Sequence, residues 1–190
     1  MEDKKTAIYQ SGKTLFSEHG FKDTNVAGIT QLAGVSVGTF YNYYSSKEKL
    51  FMEIFLEENA KLKEQVMGSI DLNADPLTTI KALMAANLSG MSAHPILREW
   101  YNRDVFSRIE QQYIEDNGTE AVDFVYGSSI QLVRSWQAQG KMRADMDAEL
   151  IMAMFASLIQ VDMHKAEIGV QHFPQILDHL AEFIVDGLTK

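Results

Sequence analysis

The sequence contains no cysteine. That excludes a disulfide scaffold, a thiolate zinc site, an iron–sulfur cluster and a cysteine nucleophile together. Proline is scarce: only Pro76, Pro95 and Pro174 occur, each where a helix can begin or a loop can turn. Long apolar runs are missing as well. The longest charge-free stretch, Thr24 to Ser46, is rich in Thr, Gly, Asn and Ser, and the greasiest, Leu150 to Ile159, is roughly half a membrane span. No apolar segment follows the charged start Glu2-Asp3-Lys4-Lys5, so neither a leader nor a membrane partner is expected, and the expected location is cytoplasmic. Hydrophobic residues at 46% and charged residues at 23% are ordinary values for a folded globular chain, which argues against disorder.

Basic charge is in short supply. The net charge is −9, which does not suit a protein that coats nucleic acid without discrimination. The deficit is uneven: residues 1–50 sum to +1 and residues 51–190 to −10, which points to two jobs on one chain. Runs of alternating β-branched and aromatic residues are also lacking. Apolar residues recur at three and four instead, as in Leu50, Ile54 and Phe55, and in Phe173, Ile176, Leu177, Leu180, Ile184 and Leu188. The expected fold is all-α, with about nine helices of ordinary length.

Residues 6–50 carry the most information. Ile8, Leu15 and Phe16 mark a first helix that His19-Gly20-Phe21 should end, with Gly20 past its C-terminus. Thr24 or Asn25 can cap a second helix whose inward side would be Val26, Ile29, Leu32 and Ala33. Gly34-Val35-Ser36 makes a tight turn, Val37 to Tyr44 a third and very short helix, and Ser45 with Glu48 a capping box for a fourth. A helix-turn-helix needs these features: small residues at the crossing (Ala33, Gly34), a turn residue tolerating positive φ (Gly34), and apolar residues from both sides (Ile29, Val35, Phe40). Tyr44 should point inward with Phe40, and Tyr41 and Tyr43 outward. No acidic residue lies between Thr24 and Lys47, as a phosphate-facing surface requires.

On these residues the chain resembles the TetR family of bacterial transcriptional regulators. The likeness runs from Ile8 through Phe16-Ser17-Glu18-His19-Gly20-Phe21 and Thr24 to Ala33. It continues through Gly34-Val35-Ser36-Val37-Gly38-Thr39-Phe40-Tyr41 and closes at Tyr44, Ser46, Lys47-Glu48 and Leu50. Thr30 departs from the alanine usual there, and Val37 from a polar residue. The resemblance implies phosphate or backbone contacts from Thr39, Tyr41 and Lys47, with Thr24 and Asn25 near a phosphate at the second helix. Val37, Gly38, Asn42 and Tyr43 would face base edges, Asn42 being suited to a bidentate contact with adenine and Val37 to a thymine methyl. Residues 1–46 would then be the DNA-binding domain and residues 47–190 a helical ligand-sensing and dimerisation domain.

For that second domain the expectations are a small, largely apolar effector and a homodimer reading a pseudo-palindromic operator in double-stranded DNA. Trp100, Tyr101, Tyr126, Trp136 and Met154 would line the pocket, with Arg103 or His164 as a polar anchor. Phe173, Ile176, Leu177, Leu180, Ile184 and Leu188 would form the dimer seam. No cofactor or metal is expected. His172 and His179 would stand ~10 Å apart along one helix, too far to share an ion, and no catalytic constellation stands out. A helical carrier or enzyme without DNA binding is the rival reading; it leaves the acid-free, tyrosine-bearing segment after Gly34-Val35-Ser36 without a purpose.

Overall fold

The computed structural model describes residues 3–109 and 129–189. Among them every regular element is helical: α1 (Lys4–Asp23), α2 (Val26–Leu32), α3 (Val37–Tyr41), α4 (Lys47–Ser69), α5 (Pro76–Ala93), α6 (Ser129–Ala138), α7 (Ala148–Met163), α8 (Lys165–Ile168) and α9 (Gln175–Leu188). Two 3-10 turns, Leu97–Tyr101 and Val170–His172, join them, and residues 103–109 are helical too. No helix of the described residues is long and apolar enough to cross a membrane. The all-α expectation stands.

The chain packs as two compact units. The first comprises the chain up to Gly68 and again from Ala86 to the end of the first described stretch; the second comprises Ser69–Ala85 and the second described stretch. The packing divides the chain elsewhere than at the expected boundary, residue 46.

In the first unit, the helix-turn-helix shares one core with α4 and the 91–109 segment, through Ile8, Phe16, Phe21, Ile29, Phe40 and Leu50 on one side and Met91, Ile96, Leu97 and Val105 on the other. Aromatic rings run through it in sequence. Phe16 meets Phe51 edge-on at 5.0 Å, Phe51 stacks on Phe55, Phe55 stacks on Trp100 at 5.4 Å, and Trp100 meets Phe106 edge-on at 4.3 Å. The two expected glycine turns are present: Gly20 (φ +76°) interrupts α1 before its last residues, and Gly34 (φ +66°) turns the chain between α2 and α3. Both angles belong to the left-handed region that a Cβ disfavours.

Several local expectations need correction. Ser46, not Ser45, caps α4, its Oγ accepting from the Lys49 amide at 3.1 Å. Leu32, placed inward by the sequence, is exposed, because the last turn of α2 rotates it off the core that Ile29 enters. Thr30 is accommodated in the interior, its hydroxyl donating to the Ala27 carbonyl at 3.0 Å.

A buried carboxylate braces the first unit. Glu58 on α4 accepts from Lys13 of α1 at 2.7 Å and from Lys61 at 2.9 Å, and its second oxygen lies 3.1 Å from His94 Nε2. Burial alone would push this carboxyl up, but the two lysines outweigh it and hold the pKa at about 2, below the usual 4.5. A carboxylate depressed in the folded state stabilises it above the unfolded pKa, and that contribution fades as pH falls from 4.5 towards 2. Glu58→Gln should therefore cost about 2 kcal/mol at neutral pH and flatten the acid limb of stability. Thermal melts of both proteins between pH 7 and pH 3 check this; parallel curves would mean that Glu58 contributes nothing to the acid dependence.

The second unit gathers Ile80, Val133, Trp136, Met142, Ile151, Met152, Leu158, Leu177, Ala181, Val185 and Leu188. α6 and α9 both pack on α7. Asp147 caps α7 by accepting from the Glu149 amide at 2.7 Å, and Asp145 pairs with Arg143 at 2.6 Å. Leu177 and Leu188, expected at a dimer seam, are buried inside this core. The reason lies in the width of the α9 stripe. At 100° per residue it spans roughly 200°. The half bearing Leu177, Ala181, Val185 and Leu188 faces the chain's own core, and the half bearing Ile176, Leu180 and Ile184 sits on its margin. Phe183, outside the expected set, is 67% exposed on that second half.

Candidate nucleic-acid interface

The candidate interface is built around α3, a helix of only five residues that owes its start to Ser36. The Ser36 Oγ accepts from the Thr39 amide at 3.2 Å and lies 2.9 Å from the Thr39 hydroxyl. Phe40 anchors the inner side in the core and Tyr44, buried as expected, packs beside it with ring centroids 5.8 Å apart. With those two turned in, Val37, Gly38, Tyr41, Asn42 and Tyr43 are exposed, and Thr39 is half-buried. Asn25 is exposed at the start of α2, where its Oδ1 accepts from the Gly28 amide at 2.9 Å. This surface offers hydroxyls, an amide and small apolar groups with no carboxylate among them. Such a set can approach phosphates and read base edges.

Two residues expected at the phosphates are placed otherwise. Thr24 is buried, and its hydroxyl donates to the carbonyls of Leu15 at 3.1 Å and Gly20 at 2.8 Å. It closes the interrupted end of α1 and has no hydroxyl proton left for a phosphate. Lys47 is turned inward: its ammonium donates to the carbonyls of Phe21 and Thr24, both at 2.7 Å, and stands 4.1 Å from the centre of the Phe21 ring. Desolvation lowers its pKa, with the nearby Arg108 charge adding to the effect. Lys47 thus ties the start of α4 to the corner between α1 and α2. The motif marks this lysine, but only the fold shows which oxygens it meets.

The corner is held from a second side by a residue that the sequence reading missed. Glu99, in the 3-10 turn Leu97–Tyr101, accepts from the Phe21 amide at 3.2 Å. Nothing local marks it, because its partner is 78 residues away.

The residues expected to line an effector pocket are divided. Trp100 and Tyr101 pack on the first core, and Arg103 is exposed in the same unit. Trp136 is buried in the second core. Met154 is half-buried in α7, and His164 ends that helix with its Nδ1 2.8 Å from Glu167. Tyr126 lies outside the described residues. The two tryptophans thus serve different cores. Among the described residues no group of three or more histidines and carboxylates is placed to hold a metal ion.

Residues 8–54 match the family described as bacterial regulatory proteins, tetR family. The chain is 27% identical over 154 residues to the HTH-type transcriptional repressor KstR2 of Rhodococcus jostii (strain RHA1), covering 77% of this chain and 72% of that protein. Its fold is shared with Thermus thermophilus FadR, a transcriptional repressor solved with lauroyl-CoA, at a TM-score of 0.66 and 20% identity over 95% of this chain and 91% of the other. Bacillus subtilis FadR, solved with stearoyl-CoA, matches at a TM-score of 0.56 and 17% identity over 98% of each chain. The matched segment spans α1, α2 and α3 and the start of α4, the elements that build the exposed, acid-free face described above. The chain is a DNA-binding transcriptional regulator whose residues 8–54 are those of the tetR family of bacterial regulatory proteins.

Proposed function

We propose that this regulator is a homodimeric repressor that leaves a pseudo-palindromic operator when a small, largely apolar effector binds its helical body. The observation that carries the reading is the exposed face of α3, with Val37, Gly38, Tyr41, Asn42 and Tyr43 outward and Phe40 and Tyr44 anchoring it from behind. In a dimer two such helices meet successive major grooves ~34 Å apart, or a multiple of that, which makes the operator a pseudo-palindrome. In this division of roles residues 1–46 read DNA, and residues 47–190 sense and dimerise. The repressor sense is supported by the KstR2 relative, and the apolar effector by the acyl chains held in the two FadR structures.

Effector and operator then compete through conformation. A release of ~100-fold corresponds to about 2.7 kcal/mol of differential binding, and operator must weaken the effector by the same factor. Selecting duplexes from genomic fragments with the purified protein, then displacing them with acyl-CoA esters and small apolar compounds, tests both halves. Failure to enrich any sequence would sink the reading. Within the selected operator, Asn42→Ala should relax the preference at one base pair per half-site, at about 1–3 kcal/mol. Affinities for single-base operator variants read this out, and a parent-like base profile would remove Asn42 from the base contacts.

A further inference from the structure

We propose that Glu99 is a positioning residue for DNA recognition, acting on the helix-turn-helix from outside it. Its point of action is the Phe21 peptide. Gly20, at φ +76°, breaks α1, so the Phe21 amide has no place in a regular helical ladder. Glu99 supplies the acceptor at 3.2 Å, and on the other side of the same residue Lys47 donates to the Phe21 carbonyl at 2.7 Å. A carboxylate on the N–H and an ammonium on the C=O are the charge-assisted partners that hold a backbone unit most firmly. The Phe21 side chain beneath is fully buried, with its ring 5.0 Å from Phe51.

This clamp sits directly upstream of the DNA-reading helices. A few residues past Phe21 the chain enters α2 at its cap Asn25, and α3 comes after the Gly34 turn. The direction in which α2 leaves the corner therefore sets where α3 presents Tyr41, Asn42 and Tyr43. Glu99 is itself held: Asn102 Nδ2 donates to its second oxygen at 3.4 Å, and its neighbour Trp100 is stacked on Phe55. Next along the segment, Asp104 pairs with Lys22 at 2.7 Å. The 99–104 segment grips the end of α1 at two polar points, and Gly20 leaves room for the first: a Cβ there would lie 2.7 Å from the Glu99 carboxylate oxygen.

The proposal rests on DNA binding by α3, and the test separates the two. A duplex is first selected from random DNA with the full-length parent protein; a parent that selects nothing overturns the DNA reading itself. Affinities for that duplex and for a random-sequence duplex are then measured for the parent, Glu99→Ala and Glu99→Gln. Glu99→Ala should bind the selected duplex at least tenfold more weakly while its affinity for random sequence stays within about twofold. Glu99→Gln keeps an acceptor for the Phe21 amide and should recover most of the loss. General weakening of the fold would lower both affinities together and would not be rescued. In the parent alone, amide exchange should show Phe21 protected at least tenfold against an exposed amide, and more so with the selected duplex bound. Parent-like discrimination by Glu99→Ala, equal loss in both variants, or an unprotected Phe21 amide would each overturn the proposal.

Discussion

Phe183→Asp should yield a folded monomer that has lost at least 100-fold in operator affinity. Phe183 is 67% exposed, so an aspartate there meets water and carries little desolvation cost in the isolated chain. Around it α9 presents the partly buried margin residues Ile176, Leu180 and Ile184. A large apolar side chain exposed beside such a margin suits an interaction surface, and a two-fold dimer would bury the same patch on both copies. In that dimer two aspartates would sit in an apolar seam, which opposes association directly. Operator affinity falls because a dimer binds its second half-site at high effective concentration, and a monomer has no such advantage. Sedimentation, circular dichroism and operator titration together decide the matter. A fully dimeric Phe183→Asp protein would move the interface to another surface. Leu177→Asp and Leu188→Asp are poorer probes, since both positions lie in the subunit's own core and would unfold it.

Lys47→Ala is the second large effect. It removes two charge-assisted hydrogen bonds at 2.7 Å and the ammonium over the Phe21 ring. Each such bond contributes on the order of 1–2 kcal/mol, and water can reach part of the vacated corner, so the expected loss is about 2–3 kcal/mol. For a chain of this size that lowers the melting temperature by roughly 5–10 °C. Specific DNA binding should weaken with it, because α2 and α3 leave from that corner. The salt dependence discriminates. A lysine contacting phosphate contributes about 0.9 to the slope of log affinity against log salt, whereas an inward lysine contributes none. The expected result is a lower melting temperature and an unchanged slope. A slope reduced by about one, with stability intact, would place Lys47 on the DNA backbone.

Much of this protein was legible in its sequence, for reasons that are local. Helices from Leu50 and along Phe173–Leu188 show in spacing alone, since a helix must bury one side and apolar residues then recur at three and four. The helix-turn-helix was legible because its constraints lie within a dozen residues. Gly34 must turn, Phe40 and Tyr44 must face in, and the remaining side chains then face out. The same local logic placed the break at Gly20.

The tertiary structure alone decided which charges and apolar groups meet. Lys47 and Thr24 belong to a motif that suggests phosphate, yet each finds unsatisfied carbonyls at the end of α1, and a buried carbonyl claims the nearest donor. Glu99 became part of the corner because folding brings it to an amide 78 residues away, and no periodicity encodes that distance. The broad stripe of α9 was expected whole at a dimer seam, and its spacing does not say which residues face which. Packing against α7 assigned Leu177 and Leu188 to the subunit and left Phe183 outside. Local patterning determines which residues need partners; the chain's three-dimensional path determines which partners they get.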